Sequence, residues 1–340
     1  MVIAVAVALV ICELALRYLP IPVPTAVPDE TLGYVHAPGV RRPMDDPESK
    51  RRLALEINRY GFRDGPWEPA ARPTVMVVGD SFVEGLQVSK EERLTERLAQ
   101  ELSRHGTRWQ VLNMGIGGTG PEAYIERVRT FVPIFSPEYV VVAIYNGNDL
   151  HNPNYDLQPG SSRQNYLVRN GAVIAYRDLA SRWERAGWQM KMRLGQSYLM
   201  RLANDAWVKR SAATRDDAGE DMLLRTCSLS PADLANSFLI VDTLLERMHV
   251  LSGHRLIILS IPERGQLRPD LPDGCRPTVV ESHLASFSRK HGIVFVPLYD
   301  RFSGLSQTPY YVGHLNPLGH RIAAEALRDA MNQLRTVNTN

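Results

Sequence analysis

From about residue 70 to its end, the chain alternates short apolar runs with longer runs of helical periodicity. This alternation limits the possible folds more than any other feature. Thr74 to Val78 reads as a strand running into Gly79-Asp80-Ser81. Glu91 to Arg104 has helical spacing, with Leu94, Leu98 and Leu102 on one face. Trp109 to Leu112 is a second strand, and Pro121 opens a helix reaching about Phe131. Tyr139 to Tyr145 is almost wholly apolar and β-branched, as a central parallel strand buried on both faces should be. A helix over Pro231 to Leu251 precedes a fourth strand, Arg255 to Ile261. A helix over about Pro277 to Lys290 precedes a fifth, Ile293 to Pro297, and Pro317 starts the final helix. Strands and helices in this order predict an α/β fold, a three-layer sandwich with a central five-stranded parallel sheet.

The 340 residues suit one large α/β domain or a core domain with an insertion. Hydrophobic residues make up 44% and charged residues 22%, so the chain is not disordered. A net charge of +2 lacks the basic bias of a nucleic-acid binder. Three cysteines without a Cys-x-x-Cys pair exclude a disulfide-rich scaffold and offer no zinc site. His314 and His320, six apart, do not share a helical face and have no acidic ligand motif beside them.

Residues 1–19 are the expected N-terminal membrane anchor. Val2 to Cys12 is unbroken apolar sequence, and Leu14-Ala15-Leu16 continues it past Glu13 to Arg17. The run falls short of the roughly 20 apolar residues that span a bilayer comfortably. Glu13 and Arg17 are placed to pair along a helix. Residues 20–69 read as a stem and pre-domain segment, in which Pro20, Pro22, Pro24 and Pro28 predict a stiff, extended spacer. The alternative is a buried N-terminal helix of a cytosolic protein. Basic residues follow the apolar segment, and the positive-inside rule taken literally would keep the body cytoplasmic.

The domain proper spans 70–340, with a helical insertion at about 150–228. Ser181 to Arg215 holds eight basic and two acidic residues and Trp183, Trp188 and Trp207. Such helices suit a membrane surface, a lid, or simple packing on the core.

The chemistry is carried by four blocks. Gly79-Asp80-Ser81 ends the first strand, where open α/β sheets place their sites. Asn113-Met114-Gly115-Ile116-Gly117-Gly118 follows the second strand and Asn146-Gly147-Asn148-Asp149 the third. His314-Leu315-Asn316-Pro317-Leu318-Gly319-His320 precedes the last helix. Together they offer a hydroxyl nucleophile, a glycine amide, an Asn amide and a base, the parts an acyl-transfer site requires. Gly115 to Gly120 also matches G-x-G-x-x-G. Glu138, the nearest acidic residue at dinucleotide spacing, stands before the next strand rather than at its end.

In these blocks, over about residues 70 to 335, the chain resembles the SGNH (GDSL-type) hydrolase family. The resemblance implies a flavodoxin-like sheet and a serine esterase that needs no cofactor. Ser81 would be the nucleophile and His314 the general base. The backbone N–H groups of Ser81 and Gly118 and the Asn148 side chain would form the oxyanion hole, with His320 structural. Asn58-Arg59-Tyr60-Gly61-Phe62-Arg63 and the apolar N-terminus look like bacterial membrane-anchored members. That implies a single-pass inner-membrane protein with a periplasmic catalytic domain. The expected substrate is a small-molecule or glycan ester, such as one on acylated envelope carbohydrate or lipid. An O-acyltransferase of the same fold and a non-catalytic binding protein are the alternatives.

The family usually places an aspartate two or three residues before the histidine, and here those positions are Val312 and Tyr311. The expectation is a Ser–His dyad whose imidazole is held by a backbone carbonyl, with Asp300 as the candidate orienting acid if one exists. Cys227 and Cys275 lie in loop-like segments flanking one helix–strand unit. In an oxidising compartment they would pair, leaving Cys12 in the apolar segment; otherwise they are unrelated thiols.

Overall fold

A computed structural model describes residues 2–18, 24–69, 72–104, 106–159, 164–213, 227–271 and 273–338. The N-terminal apolar run is helix α1 (Val2–Tyr18), 17 residues long. Among the described residues no helix is long and apolar enough to cross a membrane.

The stretch expected to be a spacer is folded from residue 24 onward; Pro20 and Pro22 lie outside the described residues. Strands β1 (Ala26–Asp29) and β2 (Gly33–His36) form one antiparallel hairpin. β3 (Arg41–Asp45) and β4 (Arg52–Glu56) form a second. Pro28 is a strand residue opposite Tyr34 rather than part of a stiff rod. The prolines misled because their fixed φ suits an edge strand as well as a polyproline spacer. Asn58 then turns the chain, its Oδ1 accepting the N–H groups of Tyr60 at 3.0 Å and Phe62 at 3.1 Å. At Gly61 φ is +84°, and a Cβ there would lie 2.7 Å from the His36 carbonyl oxygen. Only glycine makes that turn easily. Phe62 and Trp67 are buried with Phe131 and Phe135 in one aromatic cluster.

The body follows the predicted alternation. In chain order it contains β5 (Thr74–Gly79), α2 (Ser81–Glu84), α3 (Leu94–Ser103), β6 (Gln110–Gly115), α4 (Pro121–Phe135) and β7 (Tyr139–Tyr145). After an excursion come α8 (Pro231–Leu251), β10 (Leu256–Ile261), α9 (Val279–His291), β11 (Val294–Pro297), α10 (Tyr299–Ser303) and α11 (Pro317–Asn338). The excursion holds β8 (Tyr166–Arg169), β9 (Ala172–Ala175), α5 (Tyr176–Leu179), α6 (Arg182–Gly195) and α7 (Tyr198–Ala213).

The five-stranded sheet has order β11-β10-β7-β5-β6, and all its pairings are parallel. Successive side chains point to opposite faces of a strand, so each strand feeds two cores. Met76, Val78, Val140, Val142 and Ile258 pack under α4, α8 and α9. Val75, Val77, Val141, Ala143, Ile257 and Leu259 pack under α3 and α11. The chain leaves β5 towards β6 and returns across it to β7. The crevice beyond the carboxyl ends of β5 and β7 is therefore the topological switch point, where ligands of open α/β sheets bind.

The excursion is less helical than expected, because β8 and β9 form a hairpin. Its turn is Asn170-Gly171, with φ of +51° and +75°, the left-handed pair of a two-residue hairpin loop. Trp183 and Trp207 are exposed, while Trp188 meets the Tyr176 ring edge-on. Glu13 of α1 accepts the N–H groups of Tyr198 and Leu199, both at 3.0 Å, and so caps α7. Cys227 and Cys275 are joined by a disulfide, their Cα atoms 5.2 Å apart, within the usual range for such a bond. Cys12 is free and exposed.

Candidate active site

The strand–turn–helix at the end of β5 holds Ser81 in place. Asp80 caps α2, its side chain accepting the Phe82 N–H at 2.9 Å. The neighbouring loop presses on this short helix so closely that a Cβ on Gly115 would lie 2.1 Å from the Glu84 nitrogen. The first two glycines of the G-x-G-x-x-G match, Gly115 and Gly117, are thus explained by packing against α2, while Gly120 faces Asn152 and Glu122.

His314 stands opposite. Its Nε2 is 3.0 Å from Ser81 Oγ. Its Nδ1 does not face a backbone carbonyl, as the sequence reading expected, but lies 2.7 Å from Glu48 Oε2. The other Glu48 oxygen accepts the backbone N–H of His314 at 2.8 Å and that of Gly313. Asp300 is exposed on α10, and Glu48 occupies the nitrogen it was proposed to serve. The residues at the family's usual acid positions are otherwise engaged. Tyr311 donates its N–H to the His314 carbonyl at 2.8 Å, and the Val312 side chain is exposed to solvent.

Glu48 sits in the turn between β3 and β4. Asp46 closes that turn by donating to the Arg51 carbonyl at 2.9 Å and accepting the Ser49 N–H at 2.5 Å. Arg51 Nη1 donates to Glu92 Oε2 at 2.7 Å, pinning the turn to the body just before α3. The carboxylate is thus delivered from a hairpin 266 positions away in sequence.

These contacts fix the protonation states. Burial alone would raise the Glu48 carboxyl, but the His314 ring and the two backbone donors hold it at about 2. Burial likewise opposes charging His314, yet the hydrogen bond and negative charge of Glu48 leave its pKa above the ordinary histidine value. An ionised carboxylate only accepts, so Nδ1 carries the proton and the Nε2 lone pair faces the serine hydroxyl. Burial drives His320 down to about 3; it stays neutral and accepts the Leu94 N–H at 3.2 Å, tying α11 to α3.

Two further groups line the crevice. Gly118, at φ +73°, has open space where a Cβ would be. Asn148, after β7, donates one Nδ2 hydrogen to Asp80 Oδ2 at 3.4 Å. Its second amide hydrogen has no hydrogen-bond partner among the described residues. Burial raises Asp80 to about 6. Behind the glycine loop, Gly117 donates its N–H to Glu84 Oε2 at 2.7 Å, and Glu84 Oε1 meets His36 Nε2 at 2.6 Å. Arg63 donates to the carbonyls of Glu84 at 3.3 Å and Val88 at 2.8 Å. The stem therefore contacts the nucleophile helix as well as the base. Among the described residues no cluster of three or more His, Cys, Asp or Glu side chains could hold a metal.

The arrangement can take a proton from a hydroxyl and stabilise charge on an adjacent oxygen. The profile of the GDSL-like Lipase/Acylhydrolase family matches residues 77–322. No curated protein matches the chain. Among solved structures, TesA is 14% identical with a TM-score of 0.43, over 77% of this chain and 99% of its own. A lipase/acylhydrolase from Enterococcus faecalis is 14% identical at a TM-score of 0.42, over 76% and 94% respectively. The psychrotrophic esterase EstA from Pseudoalteromonas sp. is 10% identical at 0.41, over 77% and 98%. With the family profile covering well over half its length, the chain belongs to the GDSL-like lipase/acylhydrolase family and is an ester-bond hydrolase.

Proposed function

We propose that Ser81, His314 and Glu48 form a nucleophile–base–acid triad that hydrolyses a small-molecule or carbohydrate ester. The reading rests on one observation: His314 bridges Ser81 Oγ at 3.0 Å and the Glu48 carboxylate at 2.7 Å. Ser81 Oγ attacks the ester carbonyl while Nε2 takes its proton. Charge developing on the carbonyl oxygen meets the N–H groups of Ser81 and Gly118 and the spare Asn148 amide hydrogen. The imidazolium, stabilised by Glu48, then protonates the departing alkoxide. Water repeats the sequence in reverse to release the acid and free Ser81. An alcohol acceptor in place of water would make the same site an O-acyltransferase.

The test is acetate release from p-nitrophenyl acetate by the full chain, with and without a glycan acceptor. Release without acceptor is expected. Product formed only with acceptor would replace hydrolysis by transfer, and neither product would leave a binding protein.

We further infer that α1 seats the chain on a bacterial inner membrane, with the body on the periplasmic side. The exposed apolar side chains Ile3, Val5, Val7, Leu9, Val10 and Ile11 support the first point. The Cys227–Cys275 bridge supports the second, since such bonds persist in oxidising compartments. The chain should sediment with membranes, and both thiols should resist alkylation until reduced. Alkylation without reductant would remove the periplasmic assignment, and a soluble full-length chain the membrane one.

A further inference from the structure

Two buried polar atoms just beyond the glycine loop have no part in the triad. Glu122 lies in the first turn of α4, only 6% exposed, and its Oε1 accepts the Gly120 N–H at 3.0 Å. Its Oε2 is buried with no hydrogen-bond partner among the described residues, and so is Asn152 Nδ2, brought in by the turn after β7. The two atoms flank one point: a Cβ built on Gly120 would lie 2.8 Å from Glu122 Oε2 and 3.3 Å from Asn152 Nδ2. Both residues line a pocket of about 70 Å³ that also touches Gly118, Tyr34 and Gln164.

A buried polar atom left unpaired is destabilising, so the pair favours a ligand that satisfies both. An anion would be repelled by the carboxylate. An ammonium has no lone pair for the amide hydrogen. A hydroxyl does both, donating to Glu122 and accepting from Asn152. The volume equals only about two water molecules at ~30 Å³ each, enough for one carbinol group. Burial pushes the Glu122 carboxyl up to about 7, so near neutral pH it has less charge with which to hold a cation.

We propose that this pocket is a hydroxyl subsite. Glu122 and Asn152 hold a free hydroxyl of the ester's sugar or polyol alcohol while the acyl carbonyl rests against the Gly118 N–H. The inference depends on the serine-esterase reading for its catalytic consequence but not for binding.

Glyceryl monoacetate and propyl acetate differ only in two hydroxyls and therefore probe the subsite. In the full chain, Asn152→Ala should lower the ratio of their kcat/KM values, glyceryl ester over propyl ester, by about tenfold or more. A ratio that stays put while both values fall would make Asn152 structural and overturn the subsite. Binding is read separately in Ser81→Ala protein, by nuclear magnetic resonance of the side-chain amides. Glyceryl monoacetate should shift the Asn152 NH₂ signals and propyl acetate should not. Absence of that difference overturns the subsite whether or not the wild type hydrolyses either ester. A normal difference in a protein inactive on both would instead overturn the esterase reading alone.

Discussion

Ser81→Ala is expected to abolish covalent labelling by a fluorophosphonate probe and to lower ester turnover by about 10⁶-fold, the loss seen when a triad nucleophile is removed. The size follows from the geometry. Among the described residues His314 Nε2 faces no other hydroxyl at hydrogen-bond distance, so none of them can replace Ser81 Oγ at 3.0 Å. A residual rate of about 10³–10⁴ over water should survive if Gly118 and Asn148 are the oxyanion donors proposed above, because both remain. Folding should be unaffected, since the Asp80 cap on Phe82 uses the aspartate side chain and leaves the serine side chain out. Labelling that persists in Ser81→Ala would place the nucleophile elsewhere and end the triad assignment.

The parts of this site that follow strand ends were readable from sequence for a simple reason. Ser81, Gly118 and Asn148 each sit a few residues after an apolar run whose type was unambiguous, and the parallel topology sends all three to one edge. The central strands β5, β7 and β10 were legible because both of their faces are buried, so every residue from Val75 to Val78 and from Val140 to Ile144 is apolar. The β8–β9 hairpin was missed: Asn170-Gly171 was its signal, but the basic helices that follow made the whole segment look like a helical insertion.

Residues 24–69 resisted for a different reason. Their strands are only four or five residues long and two of them contain proline, so the alternation that β3 and β4 carry is too short to stand out. What fixes them is tertiary: Phe62 and Trp67 enter the body's core, and Arg63 is spent on carbonyls around α2. Glu48 was the hardest to see. Asp45-Asp46-Pro47-Glu48-Ser49-Lys50 has the composition of a solvated turn, and no local pattern separates a carboxylate bound for a catalytic histidine from one bound for water. The absence of an acid at Tyr311 and Val312 was the one available signal. It said that the partner came from elsewhere, without saying from where.

Glu48→Gln tests that substitution of one acid position for another. The glutamine carbonyl can still accept from Gly313 and His314, so the turn should keep its shape. Its amide, however, would donate to Nδ1 and force the imidazole proton onto Nε2, where it points at Ser81 and cannot accept the serine proton. The same change of tautomer in a triad protease costs about 10⁴ in rate, and a loss of about 10²–10⁴ in kcat is expected here. The pH profile should move as well. Turnover needs neutral His314, so the acid limb of the wild type should lie above the ordinary histidine value, where Glu48 holds its pKa. With Glu48 neutralised, the burial that opposes imidazolium is countered only by more distant charges such as Asp80 and Glu84, and the limb should shift to lower pH. A kcat within tenfold of wild type, together with an unmoved acid limb, would show that Glu48 clamps the histidine loop without taking part in the chemistry. The site would then be the two-residue centre the sequence first suggested.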